Sequence, residues 1–128
     1  MKKLNIVDFV ASYLTTAAWV TCDSDENMEF TKDAKEDAGA DCLKFIEAVV
    51  KEFGEEKADE LLTINGDDLG YLAAHDFFLT RNGHGSGFWD KPEKYGKEES
   101  IKLTEISKQM GEVYCCHVKG KKSKLIFD

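Results

Sequence analysis

AGADCLKFIEAVVKEF, residues 38–53, carries the clearest periodicity in the chain. Ala38, Cys42, Phe45, Ile46, Val49, Val50 and Phe53 recur at steps of three, four and one, which places them on one wide apolar stripe of an α-helix. Gly39 costs the helix about 1 kcal/mol relative to alanine, less than such a stripe returns on burial. Upstream, Thr31 or Asp33 offers a hydroxyl or carboxylate to the first free amides, and Gly54 ends the pattern. A helix with one broad apolar face needs other elements to cover it, so the fold is built around this segment.

Working outward, residues 4–20 place Leu4, Val7, Val10 or Ala11, Leu14 and Ala17 or Ala18 on one helical face, with Asn5 or Asp8 at the positive end. The polar stretch TCDSDENMEFTKD separates this helix from the next. EEKADELL after Gly54 adds a further turn or two. Asn65-Gly66-Asp67-Asp68 reads as a turn followed by a cap, and Leu69, Leu72, Ala73, Phe77 and Thr80 as a third helix closed by Asn82-Gly83. Phe and Thr also favour strands, so FFLTRN remains open between helix and strand. Residues 95–110 form a fourth helix through Ile101, Leu103, Ile106 and Met110, ended by Gly111. The period then changes to two. Glu112–Val118 reads as a strand, 119–122 as a turn and Ser123–Phe127 as its partner. A lone hairpin is marginal in water, so it must rest on the helices or on a third strand. The expected fold is α+β, a compact bundle of about four helices with a C-terminal β-hairpin, in one domain spanning 1–128.

Composition narrows the classes of function. The 42% hydrophobic and 11% aromatic content over 128 residues supplies a core. The apolar runs are a few residues long, far short of the roughly 18–20 needed to cross a bilayer. Asp8 interrupts the N-terminal apolar region, which favours an amphipathic helix over a secretory leader. The four cysteines (22, 42, 115 and 116) include no CxxC pair, and the reading is of reduced thiols in a cytosolic protein. Net charge is −8. It divides into −10 over residues 1–68 (17 acidic, 7 basic) and +2 over the remainder. That balance opposes direct nucleic-acid binding, and it permits mimicry of nucleic acid by residues 23–68.

The residues with chemical potential gather between His75 and Asp90, HDFFLTRNGHGSGFWD. This segment holds two of the three histidines, the only arginine, one of two tryptophans and three glycines. His84 is a candidate acid–base group, because histidine titrates near neutrality, and Asp90 or Asp76 is its candidate orienting partner. His75, His84 and Asp90 have the ligand chemistry of a divalent metal, with no close-packed motif behind them. Glycine-loop amides with Arg81 suit an anion. Cys115 shares a strand face with His117 as a nominal nucleophile and base. No catalytic set, metal set or cofactor is assigned from these. In a purely architectural reading, Asp76 pairs with Arg81, Phe77, Phe88 and Trp89 pin the loop, and Asn82-Gly83 only ends a helix.

The same string resembles a motif in small proteins encoded by tailed bacteriophages, which reads approximately HDFWLTRNGHGAGFWDRG. The likeness extends to Tyr13, Ala17 and Trp19 followed by DSDE, to Asp41-Cys42 with Phe45, and to LTEISKQMGEVYCCHVKGKKSKLIF at residues 103–127. Phe78 stands where the family often has tryptophan, and Lys91-Pro92 where it often has Arg-Gly. The resemblance implies a phage product in the bacterial cytoplasm and implies no reaction. The expected role is a non-enzymatic accessory protein that binds a host or defence component through Arg81, Asn82, His84, Phe88 and Trp89, since arginine and aromatic residues make the usual anchors. A small metal-assisted hydrolase or nucleotide-processing enzyme and an acidic nucleic-acid mimic are the alternatives. Oligomeric state is left open.

Overall fold

A computed structural model describes residues 1–21 and 29–127, with the side chains of 121–123 excepted. Cys22 and the acidic DSDE stretch lie outside the described residues. The helices are α1 (Ile6–Thr21), α2 (Lys32–Phe53), α3 (Glu55–Leu62), α4 (Leu72–Arg81), α5 (Pro92–Tyr95) and α6 (Lys97–Gln109). The strands are β1 (Glu29–Phe30), β2 (Cys115–Val118) and β3 (Lys121–Phe127). The fold is α+β, mostly helical, with a C-terminal hairpin. Among the described residues, no helix is long and apolar enough to cross a membrane.

The helix α2 forms as its periodicity requires. Thr31 Oγ1 accepts the Ala34 amide at 3.2 Å, and Gly54 closes the other end at φ 85°. Ala38, Cys42, Phe45, Ile46 and Val49 are buried. Phe45 stacks on Phe77 of α4 with centroids 4.1 Å apart. Burial pushes the Cys42 thiol well above its usual pKa, with a smaller push from Asp41.

The helix α1 departs from expectation in its phase. Its buried residues are Phe9, Ser12, Tyr13, Thr16 and Ala17. Val7 is 76% exposed, Ala11 is exposed, and Leu14 and Ala18 are half-buried. Of the expected stripe, Ala17 is buried and Leu4, Val10, Leu14 and Ala18 pack partly against the core, while Val7 and Ala11 face outward, so the buried face is rotated from the stripe rather than opposite to it. Two hydroxyls enter the interior because each donates back to a carbonyl one turn earlier, Ser12 to Asp8 and Thr16 to Ser12, both at 3.0 Å.

The third helix begins at Leu72 rather than Leu69. Residues Asp67–Leu69 form a 3-10 turn, and Gly70 breaks the chain direction at φ 80°. A β-carbon on Gly70 would overlap Ser12 Oγ, so the turn packs directly on α1. Residues 77–81 are helical, which resolves the helix–strand ambiguity of FFLTRN.

The sheet order is β1-β3-β2, with β1 parallel and β2 antiparallel to β3. The hairpin therefore has the third strand it needs. Residues 112–114 lie outside the ladder, whose last pair is Cys115 with Phe127 at the end of β3, and the Val113 amide donates instead to Asn82 Oδ1 at 2.9 Å. The hairpin turn is Lys119-Gly120, two residues shorter than expected, with Gly120 at φ 81°.

Candidate functional site

The segment 75–90 divides at Gly83. On the helical side, every residue from Leu72 to Arg81 is buried. His75 is 8% exposed, and its Nδ1 lies 3.0 Å from Thr16 Oγ1. The Thr16 hydroxyl spends its proton on Ser12, so the pairing assigns the ring proton to Nδ1. Burial holds His75 below the ordinary histidine pKa; Asp76 opposes this shift and Lys91 adds to it. Trp19 covers the ring at a centroid distance of 6.1 Å.

Asp76 is fully buried and does not pair with Arg81 as expected. Five residues is a poor spacing for two helical side chains to meet. Lys91 Nζ donates to Asp76 Oδ1 at 2.8 Å, and Tyr95 donates its hydroxyl to Oδ2 at 2.7 Å. A buried carboxylate without such partners would be costly. Burial and the Asp76 charge drive the Tyr95 phenol far above its usual pKa.

Arg81 is 4% exposed and is the centre of a second network. Its Nε donates to Gly111 O at 2.8 Å and its Nη2 to Met110 O at 3.2 Å. Its Nη1 reaches Tyr13 Oη at 3.0 Å and Asp41 Oδ2 at 2.8 Å. The guanidinium thus ties together α1, α2, α4 and the end of α6, and it lies 5.2 Å from the centre of the Phe77 ring. Asn82 is also engaged on both sides, through Phe78 O and the Val113 amide. Arg81 and Asn82, expected as binding anchors, are thus both bonded within the chain, Arg81 buried and Asn82 half-buried.

Beyond the helix, Gly83 at φ 70° makes a left-handed terminator. The His84 amide bonds Leu79 O at 3.0 Å, and the Gly83 amide bonds Thr80 O at 3.2 Å. The exposed His84 ring rests near Phe78, with centroids 6.4 Å apart. The loop then turns inward. Thr80 Oγ1 accepts the Phe88 amide at 3.1 Å, and a β-carbon on Gly87 would overlap that same hydroxyl oxygen. Phe88 is fully buried against Phe45 and Tyr95, so it is a core side chain rather than a contact surface. Asp90 accepts the Gly87 amide at 3.1 Å, and Lys91 Nζ reaches Ser86 Oγ and Gly87 O, both at 3.2 Å. Trp89, expected as a pin, is 51% exposed.

The candidate acid–base and metal residues do not assemble. His75 faces α1, His84 faces solvent beside Phe78, and Asp90 is held by Gly87 and Lys91. Among the described residues, no group of three histidine, cysteine, aspartate or glutamate side chains is placed to hold a metal. On β2, His117 is exposed and Cys115 half-buried. The carboxylates of α2 and α3 are interleaved with exposed lysines 32, 35, 44, 51 and 57, so those helices present a mixed surface.

Tyr13, Asp41, Lys91 and Tyr95 are the residues that sequence reasoning missed as partners of the segment. Lys91 and Tyr95 had a local signal, since a buried Asp76 demands donors. Tyr13 and Asp41 had none, because their sequence separations from Arg81 are 68 and 40 residues. The arrangement defines a small α+β protein in which a buried polar frame holds a glycine-hinged loop. No family model matches the chain, and no curated protein or solved structure matches it.

Proposed function

We propose that this chain is a non-enzymatic accessory protein of a tailed bacteriophage, acting in the infected bacterial cytoplasm by binding a host or defence-system protein. The phage origin rests on the motif at 75–90 and its flanking likenesses. The binding reading rests on one observation: Trp89 is 51% exposed on a loop whose neighbours are fixed by Phe88, Asp90 and Lys91. A large aromatic held on a rigid support loses little entropy when it docks, which is the economy of a binding anchor. His84 is another exposed side chain of the same loop. Arg81, Asn82 and Phe88 serve this surface from behind, by holding its shape.

The test is affinity capture from infected cells with the wild-type chain, Trp89→Ala and His84→Ala. The expected result is a stoichiometric protein partner retained by wild type and lost with Trp89→Ala. Recovery unchanged by both substitutions, in proteins that melt like wild type, removes this loop as the interface.

A further inference from the structure

A cleft of about 520 Å³ lies between α1 and the turn that leads into α4. Asp8, Ala11, Ser12 and Thr15 form one wall, and the other is drawn from residues 63–71. It shares no lining residue with the loop at 83–90, so it stands apart from the proposed recognition surface. The two walls are tied together. The Tyr71 amide donates to Ser12 Oγ at 3.1 Å, and the Tyr71 ring lies against Phe9 with centroids 6.1 Å apart. The Gly66 amide closes the turn on Gly70 O at 2.7 Å. The cleft is therefore formed before anything enters it, and its volume falls within the range of small-molecule sites.

The polar groups of this cleft mostly accept hydrogen bonds. Thr15 spends its hydroxyl proton on Ala11 O at 2.9 Å and Thr63 on Asp59 O at 2.6 Å, so both offer only lone pairs. Ser12 spends its proton on Asp8 O. The amides of Gly66, Asp67, Leu69, Gly70 and Tyr71 are already bonded within the chain. Asp8 and Asp68 are exposed, and no ion pair joins either carboxylate to a basic side chain. No lysine, arginine or histidine lines the cleft. An occupant that carries positive charge and donates several hydrogen bonds fits such walls, and an anion does not. A bare metal ion fits poorly too, because no group of three ligating side chains is found among the described residues. Ala11, Leu69 and the Tyr71 ring add apolar surface that suits a methylene chain.

We propose that this cleft binds an alkyl ammonium group, carried either by a free aliphatic amine or by a lysine side chain of another protein. The ammonium has three donors to share among Asp8, Asp68 and the threonine oxygens. Its methylene stem lies over Ala11 and Leu69. Water and salt screen both exposed carboxylates, so the affinity is on the order of 1–10 mM.

Amide proton–nitrogen NMR spectra of the full chain test the site, titrated with putrescine, with a capped tripeptide bearing a central lysine, and with butanediol. The expected result is saturable shifts at residues 8–15 and 63–71 with the amines and none with butanediol, which has the putrescine stem without its charge. Tighter binding of putrescine assigns the site to free amines, and tighter binding of the tripeptide assigns it to a protein's lysine. Asp68→Asn should weaken binding about threefold, and Asp8→Asn added to it about tenfold in all, as screened ion pairs do. Glu47→Gln removes an exposed charge of α2 and should change nothing, which separates the cleft from the general attraction of a chain of net −8. Thermal melts by circular dichroism verify folding, and Asp68→Asn, at an exposed position, should melt as wild type. The proposal is overturned if neither amine shifts residues 63–71 at up to about 50 mM. It is overturned equally if butanediol reproduces the shifts, or if Glu47→Gln weakens binding as much as Asp68→Asn.

Discussion

The two halves of residues 75–90 spend their polar atoms differently. In the helical half, His75, Asp76 and Arg81 are buried, and their hydrogen bonds reach α1, α2, α5 and the end of α6. In the loop half, backbone amides and Lys91 hold the chain in place, while His84 and Trp89 are left facing solvent. The residue types that look most reactive are therefore the ones committed to the frame. Burial raises the cost of an unpaired charge, so an arginine or aspartate inside a small domain is fixed by its partners before it is available to anything else. The difference teaches that the helix half is committed to the frame, whereas the loop half keeps the exposed side chains on which the proposed recognition rests, and substitutions can separate the two.

The largest effect is expected at the frame's centre. Arg81→Met should destabilise the fold by about 2–4 kcal/mol, since it takes the buried donor away from the partly exposed Asp41, from two carbonyls and from the Tyr13 hydroxyl. Arg81→Lys should rescue little, because the ammonium cannot reproduce the fork that meets Asp41, Tyr13, Gly111 and Met110 together. Urea midpoints with an unchanged m-value would measure both. A loss under about 1 kcal/mol would mean that the frame does not carry the stability assigned to it.

Tyr95→Phe removes one of the two donors to the buried Asp76 carboxylate and leaves the ring in place. The expected cost is about 1–3 kcal/mol, the penalty for an unsatisfied buried acceptor. Lys91 stays bound to Asp76 in this variant, so the loop should keep its position. The near-ultraviolet circular dichroism of the tryptophans should therefore stay close to wild type while the midpoint falls.

Acid sharpens the comparison at His75. Its folded pKa lies below the ordinary 6.5, chiefly through burial. The unfolded chain takes up a proton near that value and the folded chain resists it. The His75 contribution is therefore complete above 6.5, is lost as pH falls from there toward the folded pKa, and is constant below it. His75→Asn, whose amide can still donate to Thr16, should flatten this part of the stability–pH curve. An identical slope in wild type and variant would show that His75 is not the group responsible.

Much of this fold was legible in the chain. The helix α2 announced its core face, its N-cap and its terminator, because its apolar stripe and its buried face coincide. The stripe of α1 misled for a physical reason. The stripe meets the core only along its edge, because the buried face centres on Phe9, Tyr13 and Thr16 and includes Ser12 and Thr16, which satisfy their hydroxyls locally and so enter a core that hydropathy would deny them. The closure at Asn82-Gly83 was readable from composition. The partners of Arg81 were not, since no local rule joins positions 13, 41, 81 and 111. The short parallel strand β1 was beyond reach too, because two residues carry no period.

The smallest effect on stability is expected where the effect on function should be greatest. Trp89 packs only in part, and its neighbours are fixed by bonds that do not pass through its ring. Trp89→Ala should therefore change the unfolding free energy by about 0.5 kcal/mol or less, the range of surface substitutions. The Lys91–Asp76 and Phe88 contacts that define the loop should survive it. The same variant should lose its captured partner, whereas Tyr95→Phe, though less stable, should keep it at temperatures where it remains folded. That crossed pattern separates recognition from architecture. If Trp89→Ala instead costs as much as Tyr95→Phe and leaves capture intact, the loop belongs to the frame, and the interface must be sought on another face of the protein.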